Sequence, residues 1–168
     1  EEGATFSYAT ENVAAVNRAL AAINAAGGGA LLLPAGRVTF DGPFLIGAST
    51  KLYGTKKTRL SKDPSSTTDY VVIGNGAHHS EVSGFKVEMD AMAPLNVRTE
   101  IRFVNSNDVK VDRISASGLR YCVVRLEGVD GFEVTNISAK DSPNAVINLM
   151  SLPCANGIIL NVRLHNCW

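Results

Sequence analysis

One short pattern returns along most of this chain: an apolar residue, a second three positions on, and a third five positions on. Val82, Phe85 and Val87 carry it, then Val111, Ile114 and Ala116, then Val134, Ile137 and Ala139, then Ile159, Val162 and Leu164. The anchors lie 29, 23 and 25 residues apart, and Leu52 begins a poorer copy 30 residues before Val82. A fixed period of this size marks a solenoid, in which each unit buries its apolar face only by stacking on its neighbours.

A second ladder runs upstream of the first in each unit: Val71 and Ile73, Ile101 and Phe103, Val124 and Leu126, Ile147 and Leu149. Each pair alternates at period two, the signature of a strand with one face buried. Gly, Asn, Asp, Ser and Pro fill the intervals, as in Gly74-Asn75-Gly76 and Asn105-Ser106-Asn107-Asp108, and these are turn residues. Units with short strands, polar turns and no helix suit the coils of a parallel β-helix. The LxxLxL spacing of leucine-rich repeats is absent, and a β-sandwich gives no reason for the same three-point pattern to return once per unit.

One segment departs from this pattern. From Thr10 onward, Val13, Val16, Leu20 and Ile23 make a single apolar stripe at helical spacing. Thr10 is placed to N-cap this helix, and Gly27-Gly28-Gly29 ends it. A strand over Ala30-Leu31-Leu32-Leu33 follows, stopping at Pro34-Ala35-Gly36. An open β-helix end exposes strand edges and a slice of apolar core, so the helix is expected to cap the first coil. Residues 1–29 then form the N-terminal segment and cap, and 30–168 one continuous domain of about five coils. The last unit still fits the repeat at Leu164, so more chain or another subunit is expected to cover that end. Residue 1 is Glu and no leader pattern opens the chain, which reads as a processed or trimmed polypeptide.

Charge excludes some partners. Sixteen basic and sixteen acidic residues give a net charge of zero, so no field of one sign draws the chain to nucleic acid or an anionic membrane. Its apolar runs are far short of the roughly 20 residues that span a bilayer. Cys122, Cys154 and Cys167 are too widely spaced for a zinc knuckle or a CxxC motif and read as free thiols. His78, His79 and His165 have no ligand set around them, so no metal or cofactor is expected. The threonines are scattered, unlike the flat rows of ice-binding solenoids. Asn136-Ile137-Ser138 is a glycosylation triplet of a kind that arises readily by chance.

Several stretches together carry a resemblance. Gly3-Ala4-Thr5, the run from Glu11 to Leu20, Gly27-Gly28-Gly29, Leu33-Pro34-Ala35-Gly36 and Lys51-Leu52-Tyr53-Gly54 resemble the opening of pectate-lyase-like right-handed parallel β-helix proteins. That family includes bacterial polysaccharide lyases, hydrolases and epimerases, and the tailspikes with which bacteriophages bind and cut surface polysaccharides. The resemblance implies a right-handed all-β solenoid, a polysaccharide partner and an extracellular or virion location. Phe6-Ser7-Tyr8-Ala9-Thr10 stands where members often carry an Asp-rich stretch.

Registering the units places outward residues in rows, with neighbouring coils about 4.8 Å apart. One row reads Glu81, Lys110, Glu133, Ile158. Its carboxylates would be two rungs or about 9.6 Å apart, near the upper end of the range of about 6.5–9.5 Å for inverting glycosidases. Glu81 and Glu133, with Asp112 close by, are therefore candidate acid and base, and Lys110 a candidate for tuning them and binding substrate. The same row also suits a surface ladder of alternating charge. A second row, Glu88, Ser117, Lys140, His165, offers Lys140, with Arg163 nearby, to neutralise a uronate carboxyl as a lyase would need. A third outward row holds Val72, Val104, Val123, Val146 and Met150, too apolar to be left in water. A three-fold assembly of parallel β-helices would cover it, with Arg102 and Arg125 meeting Glu100 or Glu127 across the seam. Two functions are thus expected as alternatives: a polysaccharide-binding or polysaccharide-degrading domain, or a non-catalytic shaft or adhesin segment built for trimeric assembly.

Overall fold

Each repeat runs through short stretches of strand on successive faces, with polar residues at the bends that redirect the chain. The computed structural model describes residues 9–88, 100–118, 122–141, 146–149 and 153–167. A helix, α1 (Ala9–Ala25), comes first. The first coil contains β1 (Gly29–Leu32), β2 (Gly36–Phe40) and β3 (Phe44–Ile46). The second contains β4 (Thr50–Tyr53), β5 (Thr58–Lys62) and β6 (Tyr70–Asn75), and the third β7 (Glu81–Ser83), β8 (Lys86–Glu88) and β9 (Glu100–Val104). Then come β10 (Asn107–Asp112), β11 (Ser115–Ser117) and β12 (Val124–Glu127). The long β13 (Asp130–Lys140) spans two faces and is followed by β14 (Ile147–Leu149) and the equally long β15 (Ala155–His165).

All pairings are parallel, and the whole is a β-solenoid of about five turns. One face stacks β1, β4, β7, β10 and the first half of β13, and a second stacks β2, β5, β8, β11 and its second half. β15 lies along both halves of β13, and the third face stacks β3, β6, β9, β12 and β14.

The recurring apolar residues are the core up to β13, while in the last unit Ile159 and Leu164 are exposed. Leu52, Val82, Val111 and Val134 face one another in register and are fully buried. Leu60, Val87, Ala116 and Ala139 repeat this on the second face. Each buried Val or Leu among them contributes about 1.5–3 kcal/mol, so the ladders hold the coils in one register. On the third face Ile101, Val124 and Ile147 align, as do Phe103, Leu126 and Leu149.

Two local features differ from the sequence reading. The helix already includes Ala9, so Thr10 lies inside it instead of capping it, and its hydroxyl turns to Asp41. A bulge between Tyr70 and Val72 shifts β6, so Val72 and Gly74, rather than Val71 and Ile73, pair with Ile101 and Phe103. The extra residue in the bulge reverses the facing of the rest of β6. Val72 is fully buried, and Ile73 takes the outward position.

The helix closes the first coil as its stripe suggests. Leu20 is fully buried, and Val13 and Val16 pack on the core. Asn17 clamps the helix to the third face, donating from Nδ2 to Pro43 O (3.0 Å) and accepting from Leu45 N (2.8 Å).

The bends share a backbone device. Gly84, Arg113, Asn136 and Asn161 occupy equivalent positions after β7, β10, the midpoint of β13 and that of β15, all with positive φ. Left-handed backbone is costly for most side chains but tolerable for Gly and Asn. The asparagines also stack: Asn136 Nδ2 donates to Asp112 Oδ1 (2.7 Å), and Asn161 Nδ2 to Asn136 Oδ1 (2.5 Å). Asp141 and Asn166 repeat the arrangement at another corner, with a 3.0 Å hydrogen bond.

Candidate functional site

The outer side of the first face carries Lys51, Glu81, Lys110, Glu133 and Ile158 in one unbroken register. The structure thus brings Glu81, Lys110 and Glu133 together as the spacing suggests, and adds Lys51. Lys110 Nζ lies 2.8 Å from Glu133 Oε1. That contact raises the Lys110 pKa, with further help from the charges of Glu81 and Asp112. On the other side Tyr53 donates its hydroxyl to Glu81 Oε2 at 3.0 Å. Burial and this carboxylate push the phenol upward. Lys110 and Glu133 also line a shallow groove of about 340 Å³ with Asp108, Phe132 and Asn156.

Asp112 sits one row over, outward-facing but only 4 % exposed. Thr135 Oγ1 (2.8 Å) and Asn136 Nδ2 (2.7 Å) both donate to its Oδ1, while Arg113 Nη1 lies 2.7 Å from Oδ2. Burial alone would raise this carboxyl's pKa. The two hydrogen bonds, with the Arg113 and Lys110 charges, outweigh that and hold it below the ordinary aspartate value. Such a carboxylate is suited to fixing its neighbours rather than to moving protons near neutrality.

The second predicted row is also in register, with Glu88, Ser117, Lys140 and His165 on successive coils. Beside it runs Arg37, Arg59, Lys86, Ser115, Ser138 and Arg163. Sequence reasoning picked out Arg163 but missed the basic character of that whole row. The signal was available: a basic residue one position before each of Val38, Leu60 and Val87.

The expected interface residues are placed differently. Val123 and Val146 are 1 % and 7 % exposed, buried within the chain, and Val104 is half-buried. Met150 lies outside the described residues. Arg102 and Arg125 are neighbours across β9 and β12, and both turn to Glu127 of their own chain. The apolar outward row is therefore thinner than the sequence suggests, because the β6 bulge and the chain's own packing take three of its valines inside. Glu100 is the backbone register partner of Tyr70 at the bulge.

Among the described residues no His, Cys, Asp or Glu cluster has the makings of a metal site, and no helix is long and apolar enough to cross a membrane. Cys122 is buried, and Cys154 and Cys167 are half-buried.

The sequence matches no protein-family model and no curated protein. The fold is shared with a solved structure of a putative glycosyl hydrolase from Parabacteroides merdae. The TM-score is 0.59 at 14% identity, over 99% of this chain and 92% of that one. The likeness is one of fold.

Proposed function

We propose that this chain is a polysaccharide-binding or polysaccharide-degrading β-helix of the kind used by phage tailspikes and related bacterial surface-polysaccharide enzymes, working outside the cell or on a virion. The observation that carries the proposal is the register of Glu81, Lys110 and Glu133 across three adjacent coils beside an open groove. A glycan is a long polymer of repeating polar units, and a solenoid presents repeating polar side chains along one axis. Fold similarity alone does not bring the reaction with it. The acid–base roles therefore rest on the row: Glu133, beside the Lys110 ammonium, as the base that activates water, and Glu81 as the acid toward the leaving oxygen. Their separation of two rungs, about 9.6 Å, leaves room for that water in an inverting displacement. Lys140 and Arg163 add cationic contacts on the neighbouring face, and Asp112 fixes Arg113.

A second reading is a non-catalytic shaft or adhesin segment, with trimeric assembly as its task. It is favoured by the Lys110–Glu133 contact itself, since a lysine between two carboxylates is what a charge ladder needs.

Release of reducing ends from a panel of bacterial capsular and O-antigen polysaccharides separates the two. Glu133→Gln and Glu81→Gln should each abolish the release seen with the natural chain while leaving the circular dichroism spectrum unchanged. Undiminished release in both variants would remove them from the chemistry.

A further inference from the structure

A second groove lies away from the Glu81–Glu133 row, at the bend between the first and second faces. Its volume is about 440 Å³. The bend residues Gly54, Gly84, Arg113 and Asn136 run along one side, and the outward residues Lys86, Ser115 and Ser138 along the other. Both series are in register from coil to coil. The groove thus follows the solenoid axis over about three strand steps, or about 14 Å.

Among the described residues its lining includes Lys56, Lys86 and Arg113 and no Asp or Glu, while Glu88 and Asp112 contact two of these cations from outside the lining. Arg59 and Arg163 continue the Lys86 row beyond either end of the two serines. The two serines in the middle of that row leave a low floor, so the cations stand around a dip.

Two of the cations are held from behind. Arg113 uses Nη1 on Asp112, which is buried beneath it, while 61% of the arginine side chain remains exposed. Lys86 Nζ lies 2.7 Å from Glu88 Oε1. A guanidinium has five N–H donors and an ammonium three, so one contact each leaves donors over for a ligand. Asp112 in turn is anchored by Thr135 and Asn136. This is a supported set of donors rather than a scatter of surface lysines.

We propose that this corner groove is a binding site for the acidic groups of a glycan, a carboxylate or a sulfate, held between Arg113 and Lys86 over Ser115 and Ser138. The site is separate from the Glu81–Glu133 row. It rests on the polysaccharide reading and sharpens it by naming an anionic polymer as the ligand. An arginine fork matches an oxyanion in two parallel hydrogen bonds. The Ser115 and Ser138 hydroxyls add further donors.

The test uses the full chain and three polymers: alginate, which has carboxylates only, dextran sulfate, which has sulfates only, and unmodified dextran. Affinity is measured by titration at about 0.05 M and about 0.2 M salt, where screening differs. We expect one or both acidic polymers to bind, dextran not to bind, and affinity to fall at the higher salt. Lys86→Gln combined with Arg113→Asn should weaken binding at least about tenfold, or about 1.4 kcal/mol. Asn is chosen because it tolerates the left-handed backbone at that corner. Arg18→Gln on the capping helix removes one charge elsewhere and should leave affinity unchanged. Equal loss in Arg18→Gln, or no loss in the double variant, would overturn the site. Binding of dextran and other neutral glycans with no preference for acidic ones would overturn it while leaving the polysaccharide reading intact. Failure to bind any glycan, acidic or neutral, would overturn both.

Discussion

Arg102 grips Glu127 across neighbouring coils through two parallel hydrogen bonds, Nε to Oε1 at 3.1 Å and Nη2 to Oε2 at 2.9 Å. Arg125 approaches the same carboxylate, and Arg102 also lies 5.3 Å from the Tyr70 ring centroid and donates to its hydroxyl. Glu127 is buried, and removing it takes away the carboxylate that Arg102 and Arg125 share. Glu127→Ala should cost about 3 kcal/mol, measured by urea unfolding.

The same carboxylate gives a pH dependence. The Arg102 hydrogen bonds hold its pKa below the ordinary glutamate value of 4.5. The folded chain therefore releases this proton more readily than the unfolded one. Its stabilising contribution is whole above about pH 4.5 and is lost as pH falls through the lower folded value. Thermal melts between pH 6 and pH 3 should show a shallower acid decline in Glu127→Gln than in the natural chain. An identical decline would place the acid sensitivity elsewhere.

The Lys110–Glu133 contact is more than a third exposed on both sides, so water screens it. A double-mutant cycle with Lys110→Ala and Glu133→Ala should return a coupling of only about 0.5 kcal/mol. A loss of glycan cleavage far larger than this coupling explains would then belong to chemistry and not to folding.

Asn136 combines left-handed backbone with a hydrogen bond to a buried carboxylate. Asn136→Ala should lose both advantages, at a cost of about 2 kcal/mol. Asn136→Gly keeps the backbone freedom and should cost less. Chemical denaturation of both variants checks the order, and equal costs would show that only the side-chain ladder matters.

Phe103 lies beside Gly74, and Phe132 beside Gly157, as cross-strand partners. A Cβ added at Gly74 would come within 2.6 Å of the Phe103 ring. Gly74→Ala should therefore destabilise by about 2 kcal/mol through overpacking, read as a lowered melting temperature.

The solenoid and its coil register were legible because a stacked coil demands the same apolar positions each time. Val82, Val111 and Val134 could not shift by one residue without turning the whole core outward. That constraint also placed Glu81, Lys110 and Glu133 correctly, since an outward row follows from the inward one. The β6 bulge was not legible. Val71, Val72 and Ile73 are all β-branched, so either alternation satisfies the pattern, and only contact with Ile101 and Phe103 decides between them. The pairing of Arg102 and Arg125 with Glu127 was hidden for a related reason: spacing gives neighbours, but not whether a long side chain bends to its own chain. The corner groove was missed because its cations come from both a bend and a strand, and no single spacing joins Arg113 to Lys86.

The most direct measurement of where a glycan lies is a two-dimensional amide NMR titration of the chain with a short oligosaccharide of a polymer it retains. Glycan recognition on the outer first and second faces predicts shifts concentrated at Lys86, Arg113, Ser115, Asn136 and Ser138, and extending to Lys110 and Glu133. Shifts confined to the third face, around Leu45, Ile73 and Arg125, or no shifts at saturating oligosaccharide, would contradict it.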